Sequence, residues 1–145
     1  MAQYFRRHID RYLEEWKSSL NRKPLLVRGA RQVGKSSAIR HLGESFKYFI
    51  EVNLEHQKDI KTLFGDNLDI KKLCSQLSAI YNTPIIPSET LLFFDEIQES
   101  QRAISSLRYF YEDYPELHVV AAGSLLEFTL NELPSFGVGR IRSIW

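Results

Sequence analysis

Residues 27–42 read VRGARQVGKSSAIRHL and contain the strongest structural signal in the chain. The apolar run PLLV (24–27) precedes a loop bounded by Gly29 and Gly34. Such a short apolar run closed by glycine is typical of a buried strand. The loop leads directly into SSAIRHLG (36–43), which begins with serines and ends at a glycine, as helices commonly do. The sequence therefore predicts a strand, a glycine-bounded loop and a helix in immediate succession.

The loop GARQVGKS (29–36) has the spacing G-x-x-x-x-G-K-[ST] of a phosphate-binding loop. Glycines let the backbone approach phosphate oxygens, and N–H groups with the following helix N-terminus bind the negative charge. We expect Lys35 to reach the β- and γ-phosphates and Ser36 to bind Mg²⁺. A plain strand-to-helix turn needs one glycine and no lysine, so nucleotide binding is favoured. The predicted contact residues are Gly29, Ala30, Arg31, Gln32, Val33, Gly34, Lys35, Ser36 and Ser37.

A second signal is LLFFDEIQ (91–98), in which two acids close a wholly apolar run. The run is typical of a central strand covered on both faces. Beside a phosphate loop, an acid at a strand end holds Mg²⁺ through water, and Asp95 has that position. Glu96 would then polarise the attacking water, which indicates hydrolysis rather than phosphoryl transfer to a small substrate. Strand ends often finish in solvated acids, so the pair gains its meaning from the phosphate loop.

The rest of the chain alternates strand and helix patterns. Strands are predicted over 47–55 and 117–124, and helical spacing recurs over 69–81 and 100–114. Cys74 falls on an apolar helix face, so we expect packing rather than a reactive thiol. The alternation predicts an α/β fold with a mostly parallel sheet between two layers of helices. Ligands of such sheets bind at the carboxyl ends of the strands, which is where the loop and the acid pair fall.

An amphipathic helix is predicted before this core, within residues 4–20. Charged side chains occupy one face. The apolar face contains Phe5, Ile9, Tyr12, Leu13, Trp16 and Leu20. We therefore divide the chain into an N-terminal helix, residues 1–20, and a nucleotide-binding core, residues 21–145.

The composition limits the classes of partner. The chain has 145 residues, 43% hydrophobic and 26% charged, which suits one globular domain with a core. Nineteen basic residues nearly cancel 18 acidic ones, so the overall charge gives no support for a nucleic-acid or membrane partner. A single cysteine excludes an internal disulfide. Neither a membrane-spanning run nor a secretion signal is recognisable, and a cytoplasmic location is predicted.

The segments VRGARQVGKSS, LLFFDEIQ, AAGS and the late GR resemble, in that order, the ATPase domain of the AAA superfamily found in many uncharacterised prokaryotic ATP-binding proteins. The similarity runs from about Asn21 to the last residue. It implies a P-loop NTPase fold of three layers, α/β/α, with ATP and Mg²⁺ bound. In that family a larger C-terminal domain of unknown function usually follows. The resemblance therefore implies a fragment that ends at GRIRSIW, where a fifth strand would start. It also implies, as candidate partners, further copies of this chain in a homo-oligomer or a C-terminal effector domain.

The resemblance also implies three catalytic residues besides Lys35 and Glu96. Ser124 matches a sensor position that binds the attacking water or the γ-phosphate, with a helix cap as the alternative. Asn53 matches a polar residue that restrains the catalytic glutamate until a partner binds, with a turn-forming asparagine as the alternative. Arg140 matches a finger that reaches a neighbouring subunit's γ-phosphate, with a surface arginine as the alternative.

The leading interpretation is an ATP-binding and ATP-hydrolysing domain that couples its nucleotide state to a partner or to a C-terminal domain. The alternative is a nucleotide-dependent switch or nucleic-acid-handling module with little turnover. A GTPase is disfavoured because no N-K-x-D tetrapeptide follows the phosphate loop. A small-molecule kinase is disfavoured because Glu96 would have no evident task.

Overall fold

The computed structural model describes residues 8–20, 22–28, 34–65, 67–124 and 142–144. Within these residues the secondary structure alternates as the sequence predicts, with two short 3₁₀ helices added. In chain order the elements are α1 (His8–Lys17), β1 (Leu25–Arg28), α2 (Lys35–Gly43), β2 (Tyr48–Asn53), a 3₁₀ helix (Lys58–Leu63), α3 (Ile70–Tyr81), β3 (Thr90–Asp95), a 3₁₀ helix (Ile97–Glu99), α4 (Gln101–Asp113), β4 (His118–Gly123) and β5 (Arg142–Ile144).

The five strands form one parallel sheet in the order β2-β3-β4-β1-β5. Strand β4 therefore lies between β1, which precedes the phosphate loop, and β3, which carries the acid pair. The register pairs Arg28 with Gly123 and Asn53 with Asp95. Because the strands are parallel, the carboxyl ends of β1, β2, β3 and β4 lie at one edge of the sheet.

Helices cover both faces of this sheet, which confirms the predicted three-layer α/β/α sandwich. On β3, Leu92 and Phe94 pack into a core cluster with α3 and α4. Leu91 and Phe93 point the other way and pack into a second cluster with α1 and α2. All six residues of β3 are buried, as expected of a central strand with period-two side chains.

Side-chain caps explain where two of the helices begin. Asp69 accepts a hydrogen bond from the backbone N–H of Lys72 at 3.2 Å, before α3. Ser100 accepts one from Ala103 at 3.1 Å, before α4. Each cap satisfies a backbone donor that lacks a partner within its helix.

The N-terminal helix α1 packs into the second hydrophobic cluster, but the prediction that Leu20 lies on its apolar face is wrong. Leu13 and Trp16 are buried against the sheet, whereas Leu20 is fully exposed. The reason is that α1 ends at Lys17, so Leu20 no longer follows the helical period. The indole N–H of Trp16 donates to the backbone oxygen of Lys23 at 2.7 Å and holds the chain that leads into β1.

Cys74 packs as expected. It is buried on α3, and burial raises the pKa of its thiol to about 12. A thiol with that pKa stays protonated and unreactive at neutral pH. Among the described residues, no helix has the length and apolar character needed to cross a membrane.

Candidate functional site

The start of α2 has the backbone geometry of a glycine-dependent turn. Gly34 has φ 76° and ψ 16°, a left-handed conformation that glycine adopts without steric cost. Its carbonyl accepts the N–H of Ala38 at 3.0 Å. Lys35, the first residue of α2, is 3% exposed although it is charged. Ser37 is exposed in the same helical turn. The buried lysine thus lies at the positive end of a helix dipole, a favourable place for an anion.

Ser36 and Asp95 meet in space although they are 59 positions apart in the chain. The Ser36 hydroxyl donates toward both Asp95 carboxylate oxygens, at 3.3 Å to Oδ1 and 3.2 Å to Oδ2. The first turn of α2 therefore adjoins the carboxyl end of β3. Ser36 is expected to bind Mg²⁺ itself, and Asp95 is expected to hold it through water. The contact brings these two residues together.

The Asp95 carboxylate lies in an environment that opposes its negative charge. Burial raises the pKa of this carboxyl above its ordinary value, and the Glu96 charge adds to that rise. Hydrogen bonds from the Glu96 backbone N–H, 2.9 Å from Oδ1, and from the Ser36 hydroxyl act in the opposite direction. A nearby cation would favour the ionised carboxylate.

Arg40 lies beside the Asp95 carboxylate, but its hydrogen-bonded ion pair is with Glu51. Its Nη2 is 3.9 Å from Asp95 Oδ2. Its Nε and Nη2 each donate to Glu51 at 2.7 Å, in a bidentate pair between α2 and β2. Glu51 therefore holds Arg40 at the rim of the site.

The oxygen donors at this point fit Mg²⁺. Magnesium prefers oxygen ligands, and proteins usually supply one or two carboxylates while substrate phosphates supply others. A serine hydroxyl next to a buried carboxylate matches that donor set. Ser36 and Asp95 are therefore suited to hold Mg²⁺ together with a nucleoside triphosphate.

Glu96 occupies a strained turn directly after β3. Its backbone has φ 54° and ψ 45°, which is unusual for a residue with a side chain, and it is 8% exposed. Conformations of this kind cost about 1–3 kcal/mol and cluster at functional sites. Gln98, in the 3₁₀ helix that follows, contacts the Glu96 side chain: its Nε2 donates to Glu96 Oε2 at 3.0 Å.

Ser124 lies at the same edge of the sheet, directly after β4. Its backbone N–H donates to Gln98 Oε1 at 3.3 Å. One glutamine amide therefore bridges Glu96, directly after β3, and Ser124, directly after β4. The sequence interpretation assigned no role to Gln98, although it is the last residue of LLFFDEIQ, and its position two residues after Glu96 was the available signal.

Asn53 ends β2 beside Asp95, and its side chain stabilises a turn. Its Oδ1 accepts the backbone N–H groups of Glu55 at 3.0 Å and His56 at 3.1 Å. This is the local hydrogen bonding of the turn-forming alternative. A restraining action of Asn53 on Glu96 stays a prediction.

Some predicted site residues fall outside the described ranges, and their roles stay predictions. They are Gly29, Ala30, Arg31, Gln32, Val33 and Arg140.

A parallel sheet sandwiched between helices, with a phosphate-loop sequence between β1 and α2, is the fold of the P-loop NTPase class. Comparison with protein families narrows that class. The family described as "AAA domain" matches residues 21–145, and the chain belongs to this family. It is an AAA-type nucleotide-binding domain, as the resemblance implied. A search among curated proteins finds no matching sequence.

Proposed function

We propose that this chain binds ATP together with Mg²⁺, hydrolyses it, and passes its nucleotide state to a partner or to a C-terminal effector domain. The observation that carries the proposal is the contact of Ser36 with Asp95 at 3.2 Å. It joins the loop sequence to the acid-bearing strand, as binding of one metal–triphosphate group requires.

Binding is assigned to the start of α2. Lys35 supplies a buried positive charge for the β- and γ-phosphates, and the glycine-bounded loop supplies backbone N–H groups. Ser36 and Asp95 would hold Mg²⁺, which when bound would offset phosphate charge. Lys35 and the helix dipole thus oppose the repulsion between the triphosphate and the two acids.

Chemistry is assigned to Glu96 as the general base. A water aligned with the γ-phosphate gives a proton to the Glu96 carboxylate as its oxygen bonds to phosphorus. The bond between the γ-phosphorus and the bridging oxygen breaks, and ADP leaves with that oxygen. Ser124 would orient the water or the γ-phosphate, and Arg140 of a neighbouring copy would stabilise developing charge.

A switch with little turnover is the second candidate, and one observation favours it. The pose of the Glu96 carboxylate depends on its hydrogen bond from Gln98, which is bonded in turn to the backbone of Ser124. A partner, a nucleic acid included, that repositions Glu96 would then control hydrolysis.

Calorimetry with Lys35→Ala tests the binding step. We expect ATP–Mg²⁺ affinity to be lost without loss of fold, because a charge at the phosphates is removed and Lys35 belongs to neither core cluster. Lys47→Ala is the matched control, since Lys47 is an exposed lysine that pairs with Glu89 at 3.4 Å. Equal ATP binding by Lys35→Ala and the parent chain would refute the phosphate-loop assignment.

Turnover separates the two candidate functions. Single-turnover hydrolysis is measured over a series of protein concentrations, with and without DNA or RNA. An enzyme that needs Arg140 from a second copy speeds up with concentration, because an arginine finger is worth about three to five orders of magnitude. A rate that stays near zero under every condition favours the switch.

A further inference from the structure

Gln98 is held on a rigid turn between β3 and α4. The Glu99 backbone N–H donates to the Glu96 oxygen at 3.1 Å, and the Ser100 N–H donates to the Ile97 oxygen at 3.1 Å. Ile97 is fully buried, and Ser100 caps α4. The backbone of Gln98 is therefore anchored on both sides, and its side chain starts from a fixed position.

The two bonds made by the Gln98 amide determine its orientation. A backbone N–H can only donate, so the amide oxygen faces Ser124. An ionised carboxylate can only accept, so the amide nitrogen faces Glu96. Both partners are satisfied in one orientation, at 3.3 Å and 3.0 Å, and reversal of the amide would break both bonds.

This bridge links the two residues to which water activation and γ-phosphate sensing are assigned. Glu96 follows β3 and Ser124 follows β4, the strand between β3 and the strand of the phosphate loop. A displacement of Ser124 would move the side-chain amide of Gln98 that is hydrogen-bonded to it. The Glu96 carboxylate, which is bonded to the same amide, would then change its rotamer. Through the Gln98 amide, the position of the Glu96 carboxylate therefore depends on the position of Ser124, directly after β4.

We infer that Gln98 is a positioning residue, which acts through Glu96 by tying its carboxylate to the backbone of Ser124. The inference rests on the proposed ATP hydrolysis. Gln98 itself need not touch the nucleotide. Its removal should therefore lower kcat and leave KM for ATP nearly unchanged.

Two variants at this position remove different parts of the bridge. Gln98→Ala removes both bonds, and we expect kcat to fall about 10- to 100-fold, the effect of a misplaced catalytic group. Gln98→Glu keeps an acceptor for Ser124 but replaces the donor with a second negative charge beside Glu96, so kcat should fall at least as far. Gln76→Glu makes the same chemical change on α3, away from the site, and should leave both parameters unchanged.

A double-mutant cycle distinguishes positioning from a general structural role. If Gln98 acts through Glu96, Gln98→Ala should change single-turnover rates by less than about 2-fold in a Glu96→Gln background. An equal loss in both backgrounds would overturn the inference. Thermal unfolding of each variant checks that the fold is kept.

The Ser124 amide gives a readout that needs no hydrolysis. In NMR spectra without nucleotide, Gln98→Ala should shift the Ser124 amide proton upfield, Gln98→Glu should keep it hydrogen-bonded, and Gln76→Glu should leave it in place. An unmoved amide in Gln98→Ala contradicts the bridge, whatever the activity. A parent chain that hydrolyses no ATP contradicts the proposed function and, with it, the positioning role of Gln98, even where the amide moves. Hydrolysis by the parent with an unchanged kcat in Gln98→Ala contradicts the inference alone.

Discussion

His118 should make the stability of this domain depend on pH, because its ring is buried where a positive charge is unfavourable. The residue begins β4, is 4% exposed, and its Nε2 lies 3.0 Å from the backbone oxygen of Lys17. The rings of Trp16 and Phe46 pack edge-on against it, at centroid distances of 5.6 and 4.9 Å. His118 therefore connects the C-terminal end of α1 to β4 through these contacts.

Burial is the main cause that lowers the pKa of His118 from 6.5 to about 4, and the charges of Arg22 and Lys17 contribute further. The bond to the Lys17 oxygen acts against this lowering. In the unfolded chain the imidazole takes up a proton near pH 6.5, whereas in the folded chain it does so only near pH 4. The stabilising effect of the neutral ring is therefore complete above pH 6.5 and is lost as the pH falls toward 4.

The size of the effect follows from that difference in pKa. Between 6.5 and about 4 there are about 2.5 pH units, and each corresponds to about 1.4 kcal/mol, so the full loss is about 3 kcal/mol. About 2 kcal/mol of it should be lost by pH 5. Both figures refer to the free energy of unfolding at a given pH relative to neutral pH.

Urea unfolding of the parent and of His118→Phe at pH 7.5 and pH 5 measures this loss. Phenylalanine keeps an aromatic ring against Trp16 and Phe46 but cannot titrate, so the variant should lose less stability on acidification than the parent, by about 2 kcal/mol. His56→Phe is the control, since His56 is exposed. Equal losses by the parent and His118→Phe would refute the reasoning.

Two further predictions concern the site. Asp95→Asn should keep the fold but weaken the Mg²⁺ dependence of ATP binding, because an amide replaces the anion expected to hold Mg²⁺ through water; calorimetry with and without EDTA would show this, and an undiminished Mg²⁺ dependence would contradict it. Gly34→Ala should destabilise the domain by about 1–2 kcal/mol, since φ is 76° there. Gly65→Ala, where an added Cβ would meet no atom of the described residues within 4 Å apart from the adjoining chain, should change urea-unfolding stability by less than about 0.5 kcal/mol; equal effects of the two would count against strain at Gly34.

The fold could be predicted because its signals are local and repeated. The apolar runs before the phosphate loop and before Asp95 are each bounded by residues that end strands. Helices α3 and α4 have a clear helical period and a residue with a capping side chain before them. The two 3₁₀ helices were missed since three to six residues are too few to show a period. Leu20 was misplaced because apolar spacing continues past Lys17, whereas the helix does not.

The site could be predicted only as far as its residues adjoin strands. The meeting of Ser36 with Asp95 follows once both are placed at the carboxyl ends of parallel strands. The Gln98 bridge does not follow, because it depends on a side-chain rotamer and on a residue 26 positions away. For Asn53 the sequence supported two roles, and the turn it forms depends on backbone geometry that strand spacing does not specify.

Hydrolysis of ATP by Glu96→Gln, compared with the parent chain in single-turnover experiments, tests the central claim most directly. Glutamine keeps the size of the side chain but cannot take the proton from water, so ATP should still bind while the rate falls by about two to four orders of magnitude. Glu116→Gln, a matched change at an exposed acid, should hydrolyse ATP at the parent rate. If Glu96→Gln also hydrolysed ATP at the parent rate, Glu96 would not be the general base, and the account of this site would be contradicted.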